Sequence, residues 1–467
     1  MAGPPRSSHY CGSMLRFTRI AAMLTPIIVL TSLLPAPAVG LQGSAGDTLP
    51  VTVFEDVNVV PMDRERVLEA QTVVIRGGRI AEVGARESVP IPETARRIDG
   101  RGKYLMPGIA EMHAHVPPAD DPLVETYMAL YVLNGATTIR AMMGTPDQLE
   151  YRRRIAAGDM LGPTLFAVGP PFSGKTTHGA DDARRQVREY HAAGFDVLKI
   201  FPGMSREEYD AILGTARELH MPVSGHVPSN IGVKHAIESG QSIEHLDGYL
   251  EAIGGDRRRI PELVQMTVAA RIWNTPTLDV WRTILGLRDA DSLAGARPEL
   301  HYLPLELVNR WTTQVRDLRR KSPVQGALER IGLRTSAAEV AALRDTLLRA
   351  LYDGGAGLLL GSDSPQVFSV PGFSLAHEME AMVAAGLPPW AVLAAATRNP
   401  AQFFGRSDEF GTVEPGKRAD LILIEGNPLE DIRNVHRQAG VMVRGQWLPA
   451  DEISRRLDQI ARRWRPE

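Results

Sequence analysis

Residues 108–115 read GIAEMHAH and residues 357–363 read GLLLGSD. Both are short apolar runs that close on polar groups. Three further segments share the form: FDVLKIF at 195–201, MPVSGH at 221–226 and QSIEH at 241–245. Each reads as a buried strand with a polar residue at or near its C-terminal end. The residues so placed are His113, His115, Lys199, His226, His245 and Asp363. Parallel strands that deliver polar groups from their C-terminal ends to one place describe the mouth of a (β/α)8 barrel. Four imidazoles, a carboxylate and a lysine gathered there need partners, and a divalent cation satisfies several at once.

Eight candidate strands follow one another in this region: Ile109–His115, Ala136–Ala141, Thr164–Gly169, Val197–Phe201, Pro222–His226, Ser242–His245, Ile272–Thr277 and Gly357–Ser362. Helical patterns such as 181–194 and 206–219 alternate with them, which implies a parallel sheet. The expected fold is α/β, a (β/α)8 TIM barrel over 108–405. The connection 278–356 is long, charged and mostly helical, and carries Trp281, Tyr302 and Trp311. It reads either as a lid over the catalytic face or as a helical embellishment outside it. The ends of the chain have a different texture. VTVFEDVNVV (51–60), TVVIR (72–76) and RIAEVG (79–84) alternate as strands around the Gly77-Gly78 turn. ADLILIEG (419–426) and VMVRGQWL (441–448) repeat that texture. One small β-sandwich assembled from 50–107 and 406–450 is expected, two unrelated ribbons being the alternative. A basic amphipathic helix closes the chain at 451–467.

With 467 residues, 44% hydrophobic and 23% charged, the chain has the composition of a globular protein large enough for a barrel and a second unit. A formal charge of −3 offers no basic field for nucleic acid. Arg16 and Arg19 precede an apolar run, Ile20 to Leu34, and then PAPAVG at 35–40. That order is a secretory signal peptide over residues 1–40, and Met14 is an alternative start. A retained anchor is the competing reading, although the run is short for a span. The sole cysteine, Cys11, lies in this leader, so the mature chain has no disulfide, thiolate ligand or cysteine nucleophile. A secreted or periplasmic enzyme is expected, touching a membrane only through its leader.

His113 and His115 sit two apart on a strand and face the same way, a geometry suited to zinc or a similar ion. His226 and His245 end their own strands. Asp363 reads as a ligand or as a helix N-cap. Lys199 is the odd member, because an ammonium cannot ligate a cation. In a low-dielectric site its proton affinity falls, and a neutral amine takes up carbon dioxide to become an anionic carbamate with two oxygens. A lysine paired with Asp363, or a Schiff-base lysine, are the alternatives.

Together with LMPGIAEMHAH (105–115), NGATTIR (134–140), SIEHL (242–246), GSDSP (361–365), 377–405 and EPGKRADLILIEGNP (414–428), this pattern resembles the amidohydrolase superfamily. The likeness extends over nearly all of the mature chain. It is nearest the branch with a carboxylated lysine and two metals, among imidazolonepropionase-like and Xaa-Pro dipeptidase-like members. The resemblance implies two divalent ions, zinc first and manganese, cobalt or iron as alternatives. His113, His115 and Asp363 would hold one, His226 and His245 the other, and the Lys199 carbamate would bridge them. It further implies hydrolysis of an amide or peptide-like bond by a metal-bridging hydroxide, with Asp363 as general base and then acid. The small-molecule substrate would be a dipeptide, an N-acyl amino acid or a cyclic amide. A lactone or organophosphate ester suits the same site, and a metal-binding barrel without turnover is the non-enzymatic alternative. His178, in the loop after the third strand, matches a histidine that contacts substrate oxygen in relatives, and otherwise reads as a solvated loop residue. Tyr249 reads as a pocket donor or as loop packing. One departure stands out: Pro228, which has no donor, occupies a position where dipeptidase-like relatives carry an aromatic or histidine.

GPPFSGKT at 169–176 fits the P-loop pattern letter for letter. Pro170 and Pro171 remove backbone N–H groups that a phosphate cradle requires, so no nucleotide is expected and Lys175 reads as a surface loop residue.

Overall fold

The computed structural model describes residues 50–321 and 335–465. The expected leader with Cys11, residues 322–334 of the long connection and the last two residues of the chain lie outside the described residues. Five strands come first: β1 (Thr52–Val59), β2 (Leu68–Arg76), β3 (Arg79–Ala85), β4 (Arg96–Asp99) and β5 (Tyr104–Pro107). Eight central strands follow: β6 (Ile109–Ala114), β7 (Ala136–Ala141), β8 (Thr164–Ala167), β9 (Leu198–Ile200), β10 (Val223–Gly225), β11 (Ser242–Glu244), β12 (Trp273–Thr275) and β13 (Gly357–Leu358). β14 (Leu421–Ile424), β15 (Gln438–Val443) and β16 (Gln446–Pro449) end the set.

The fold is mixed α/β. Every pairing among the central strands is parallel, in the orders β6-β7-β8 and β13-β12-β11-β10-β9. Parallel bridges join the outer strands of these two sheets, Val168 to Val197 on one side and Ala114 to Ser364 on the other. Backbone bonds accompany them: Gly169 N to Val197 O at 2.9 Å, Met112 N to Leu360 O at 2.8 Å and His115 N to Ser364 O at 2.7 Å. All six residues of β6 are buried, as a parallel strand covered on both faces requires. Helices lie between the strands, and their starts are set locally. Ser205 and Glu208 form a reciprocal capping box at the head of Arg206–Glu218, which satisfies two otherwise orphaned N–H groups.

The terminal segments meet in one eight-stranded sheet, ordered β16-β15-β14-β5-β1-β2-β3 with β4 beside β1. β14 pairs antiparallel with β5, so the end of the chain is stitched to its beginning just before β6 starts. The helix Ala450–Trp464 then turns Ile453, Leu457 and Ile460 inward, and its Trp464 indole donates to Thr126 Oγ1 at 3.2 Å.

The long connection after β12 contains helices Leu278–Ile284, Ala290–Ala296, Leu305–Lys321 and Ala337–Asp353. Val280, Leu293, Trp311 and Val315 from these helices pack with Val367, Phe368 and Val370, the loop that follows Asp363. The connection thus braces the segment that carries the carboxylate. Glu378 fixes its near end. This buried side chain accepts the N–H groups of Leu278 and Asp279, both at 2.8 Å. Burial outweighs those bonds and pushes the Glu378 carboxyl up to about 8. The folded chain therefore binds this proton more tightly than the unfolded chain, whose carboxyl titrates near 4.5. The linked stability is present in full below pH ~4.5 and is lost as pH rises towards 8. Glu378→Gln should flatten the fall in melting temperature between pH 5 and 8. A variant whose thermal profile keeps the wild-type slope would refute this assignment.

Candidate metal centre

The ladder hydrogen bonds stop where the chemistry starts. His226 and His245 each follow the last residue of their strands, yet their N–H groups still bond across the sheet, to Ile200 O at 3.0 Å and Thr275 O at 2.8 Å. Beyond that point the backbone turns. His245 has φ of 60°, Thr277 of 49° and Asp363 of 61°. Left-handed conformations cost non-glycine residues ~1–3 kcal/mol each and persist only where the surroundings enforce them. Here they swing side chains off three separate strands towards one point.

Five of the six expected residues meet directly. His115 Nε2 lies 2.9 Å and His113 Nε2 3.4 Å from Asp363 Oδ1. Lys199 Nζ is 3.3 Å from His113 Nε2. The His113 and His245 rings have centroids 4.6 Å apart. His226 completes the row at 4.9 Å from His245. His113, His245 and Asp363 each present a ligand atom within 4.8 Å of the others, a group able to hold an ion.

Three of the imidazoles are oriented from behind. His113 Nδ1 bonds Glu244 Oε2 at 2.7 Å, His226 Nδ1 bonds Asp247 Oδ2 at 2.6 Å, and His245 Nδ1 meets Thr277 Oγ1 at 2.8 Å. A carboxylate only accepts, so Nδ1 of His113 and of His226 carries a hydrogen, and in a neutral ring Nε2 then keeps its lone pair. Burial drives His113 and His245 well below the ordinary imidazole range, which keeps both in the neutral, ligating form. Burial opposes ionisation of Asp363 as well, but the surrounding imidazoles and Lys199 hold it below the usual carboxylate value. An ionised carboxylate and a neutral Nε2 are both acceptors, and they face each other across 3.4 Å. His115 Nε2 is buried with no partner in hydrogen-bonding geometry. Acceptors pointed at one another fit a cation between them.

Lys199 is fully buried, and desolvation brings its ammonium down to about 8, with Asp363 and Glu244 opposing. A substantial neutral fraction therefore exists near physiological pH.

Several participants are not evident from the sequence. Arg140, wholly buried, donates to Glu244 Oε1 and Met112 O, both at 2.6 Å, and so locks the carboxylate that orients His113. Glu111 accepts the N–H of His113 at 2.7 Å and of Ser362 at 3.0 Å, tying the end of β6 to the segment bearing Asp363. Burial raises Glu111 to about 7. The signal of these three is a charged residue inside an apolar strand: Glu111 in GIAEMHAH, Arg140 in TTIRA and Glu244 in QSIEH. Phe201 lies edge-on to His226 at 4.7 Å, and Trp281, from the long connection, lies 6.1 Å from His245.

The structure does not bring His178 to this cluster. It is exposed just before the helix Ala180–Ala193, its N–H held by Asp182 at 2.9 Å. Tyr249 turns its hydroxyl into the core, onto Thr267 and Asn274. In the 169–176 loop, Gly169 N and Phe172 N are bonded to Val197 and Lys199 carbonyls, and Lys175 is exposed.

A model of the amidohydrolase family matches residues 104–448. Adenine deaminase of Rubrobacter xylanophilus is 23% identical over 409 residues, covering 84% of this chain and 57% of the deaminase. The chain therefore spans little more than half of that relative's length. Ochratoxinase of Aspergillus niger is 24% identical over 460 residues, 83% of this chain and 84% of that enzyme. Bottromycin amidohydrolase superposes with a TM-score of 0.70 at 24% identity, covering 89% of this chain and 92% of that one. A Xaa-Pro dipeptidase with methionine bound in its active site gives 0.65 at 21%, covering 86% and 100%. These structural likenesses establish the fold.

The orienting pair yields a prediction. Glu244→Gln leaves the shape of the strand but lets the amide nitrogen face His113 Nδ1, which favours the wrong tautomer. Metal affinity, measured by chelator competition on purified protein, should fall ~10–100-fold. Unchanged affinity would refute the assigned role of Glu244.

Proposed function

The chain belongs to the amidohydrolase family and is a hydrolase of carbon–nitrogen bonds; on that premise we propose that it is an exported two-metal enzyme cleaving amides that carry a carboxylate. The observation that carries this reading is the set of neutral imidazole lone pairs turned on Asp363 and Lys199. In this reading the two parallel sheets close into one eight-stranded barrel, supported by the Val168–Val197 and Ala114–Ser364 bridges. The terminal sheet is the small β-sandwich, supported by the pairing of β5 with β14.

His113, His115 and Asp363 would hold one divalent cation, and His226 and His245 the other. When bound, such ions would supply Lewis acidity towards the scissile carbonyl and a water with a pKa near neutrality. Lys199 would supply the anionic oxygens that an ammonium lacks: its neutral amine would add to carbon dioxide and lose a proton from nitrogen to become a carbamate. The desolvation of Lys199 favours that addition. Asp363, ionised at rest, accepts the proton of the attacking water and returns it to the leaving nitrogen. Phe201 and Trp281 wall the site and limit water.

The carboxylate preference rests on Arg344. Its guanidinium is buried, stacked 4.6 Å from the Trp281 ring, with Nε unpartnered. The activities for which the relatives are named bracket the bond: ochratoxinase, Xaa-Pro dipeptidase and adenine deaminase. Export rests on the leader, and sequencing the mature N terminus tests it.

Metal analysis should find two ions per chain. Lys199→Ala should lose metal and at least ~10²-fold in kcat together, and full turnover in that variant would end the carbamate reading. In a panel of N-acyl amino acids, Xaa-Pro dipeptides, lactones and aminopurines, the first two classes should be cleaved. Arg344→Met should raise KM for acids far more than for the matching carboxamides. Equal effects on both would reject Arg344 as the carboxylate receptor.

A further inference from the structure

At the opposite end of the central strands from the histidines lies a cavity of about 610 Å³. That size is typical of small-molecule sites. Its walls come from four places: the Gly77-Gly78 turn with Arg79, the end of the helix Asp147–Ala157 with the residues after it, Arg418 ahead of β14, and the β15–β16 turn with the final helix. Arg418 reaches Thr138, near the start of β7, and Arg444 reaches the carbonyl of Gly162, just before β8. Both contacts mark the N-terminal ends of the strands, remote from the metal centre.

Four guanidinium groups line this cavity: Arg79, Arg418, Arg444 and Arg456. Among the described residues two carboxylates answer them. Asp420 pairs with Arg418, and Glu452 pairs with Arg456 while also engaging Arg455. Arg79 and Arg444 make side-chain bonds to carbonyls, Gly416 O at 2.7 Å and Gly162 O at 3.0 Å. Among the described residues no carboxylate side chain pairs with either. A guanidinium has five N–H donors, so both keep several for another acceptor. Burial and the neighbouring Arg418 depress the Arg444 guanidinium against the pull of Asp420, as expected of clustered cations short of counter-charge. Ile155, Met160 and Leu161 add an apolar wall.

We propose that this cavity is a second ligand site, for a small organic polyanion whose clustered anionic oxygens bridge Arg79 and Arg444. Planar guanidinium forks match phosphate and carboxylate oxygens in pairs. Occupancy would tie the terminal sheet to the N-terminal ends of β7 and β8. A phosphate ester and a polycarboxylate share this chemistry, and the test separates them.

Thermal unfolding and titration calorimetry of the full chain with pyrophosphate, and separately with citrate, are run at constant ionic strength. At least one anion should bind saturably and raise the melting temperature with the logarithm of its concentration. Preference for pyrophosphate assigns phosphate esters, and preference for citrate assigns polycarboxylates. Arg79→Gln, at an exposed position, and Arg444→Gln should each weaken binding at least tenfold while amide hydrolysis stays unchanged. Arg79→Glu should abolish binding. Absence of saturable binding by both anions, or binding that survives Arg79→Glu, overturns the proposal.

Discussion

The centre depends on one enforced confrontation: a neutral Nε2 and an ionised carboxylate, both acceptors, held face to face in a buried site. Left alone they would move apart or share a proton. His113 cannot rotate because Glu244 grips its Nδ1–H, and Glu244 cannot move because Arg140 grips it in turn. Asp363 cannot withdraw because Glu111 binds the neighbouring Ser362 to the end of β6. Much of the buried polar inventory of the central strands serves this arrangement. A buried carboxylate such as Glu244 would be costly by itself, but Arg140, Ser224 and His113 occupy its acceptor sites.

That constraint explains why the strands are short. Pattern reading extends these strands further, to His226, His245 and Ser362, whereas the ladders end at Gly225, Glu244 and Leu358. Apolar run length reports burial, not pairing. The runs ending at His245 and Asp363 stay buried to their last residue because that residue enters the site, and both leave the sheet through left-handed turns that composition does not reveal. Neither His245 nor Asp363 is glycine, the residue that most plainly marks such a turn.

The candidate ligand set is legible because of repetition. A single histidine, lysine or aspartate at the end of an apolar run is ambiguous, but five runs of the same form point their polar ends to a shared purpose. The orienting shell is harder to read. Arg140 and Glu244 look like interruptions of strands, and only the three-dimensional pairing shows that they answer each other over 104 residues. Tyr249 shows the converse: spacing puts it four residues after His245 and so near the pocket, but the helical turn beginning at Tyr249 directs its hydroxyl to Thr267. The joining of β5 to β14 is visible in the sequence only as shared texture, since alternation identifies strands but not their partners.

Lys199 stands where these constraints meet. Its Nζ sits beside His113 Nε2, where an ammonium would compete with any cation for the same lone pair. Burial weakens the ammonium's claim, bringing its pKa to about 8, while Asp363 strengthens it. The site is therefore poised between two ways of satisfying the facing acceptors. A protonated lysine donates into them; in the proposed function, metal ions would take that donor's place once the lysine had itself become an acceptor. In the proposed function, addition of carbon dioxide would alter only the Lys199 side chain, so the bonded shell of Glu244, Arg140 and Glu111 could stay in place around it.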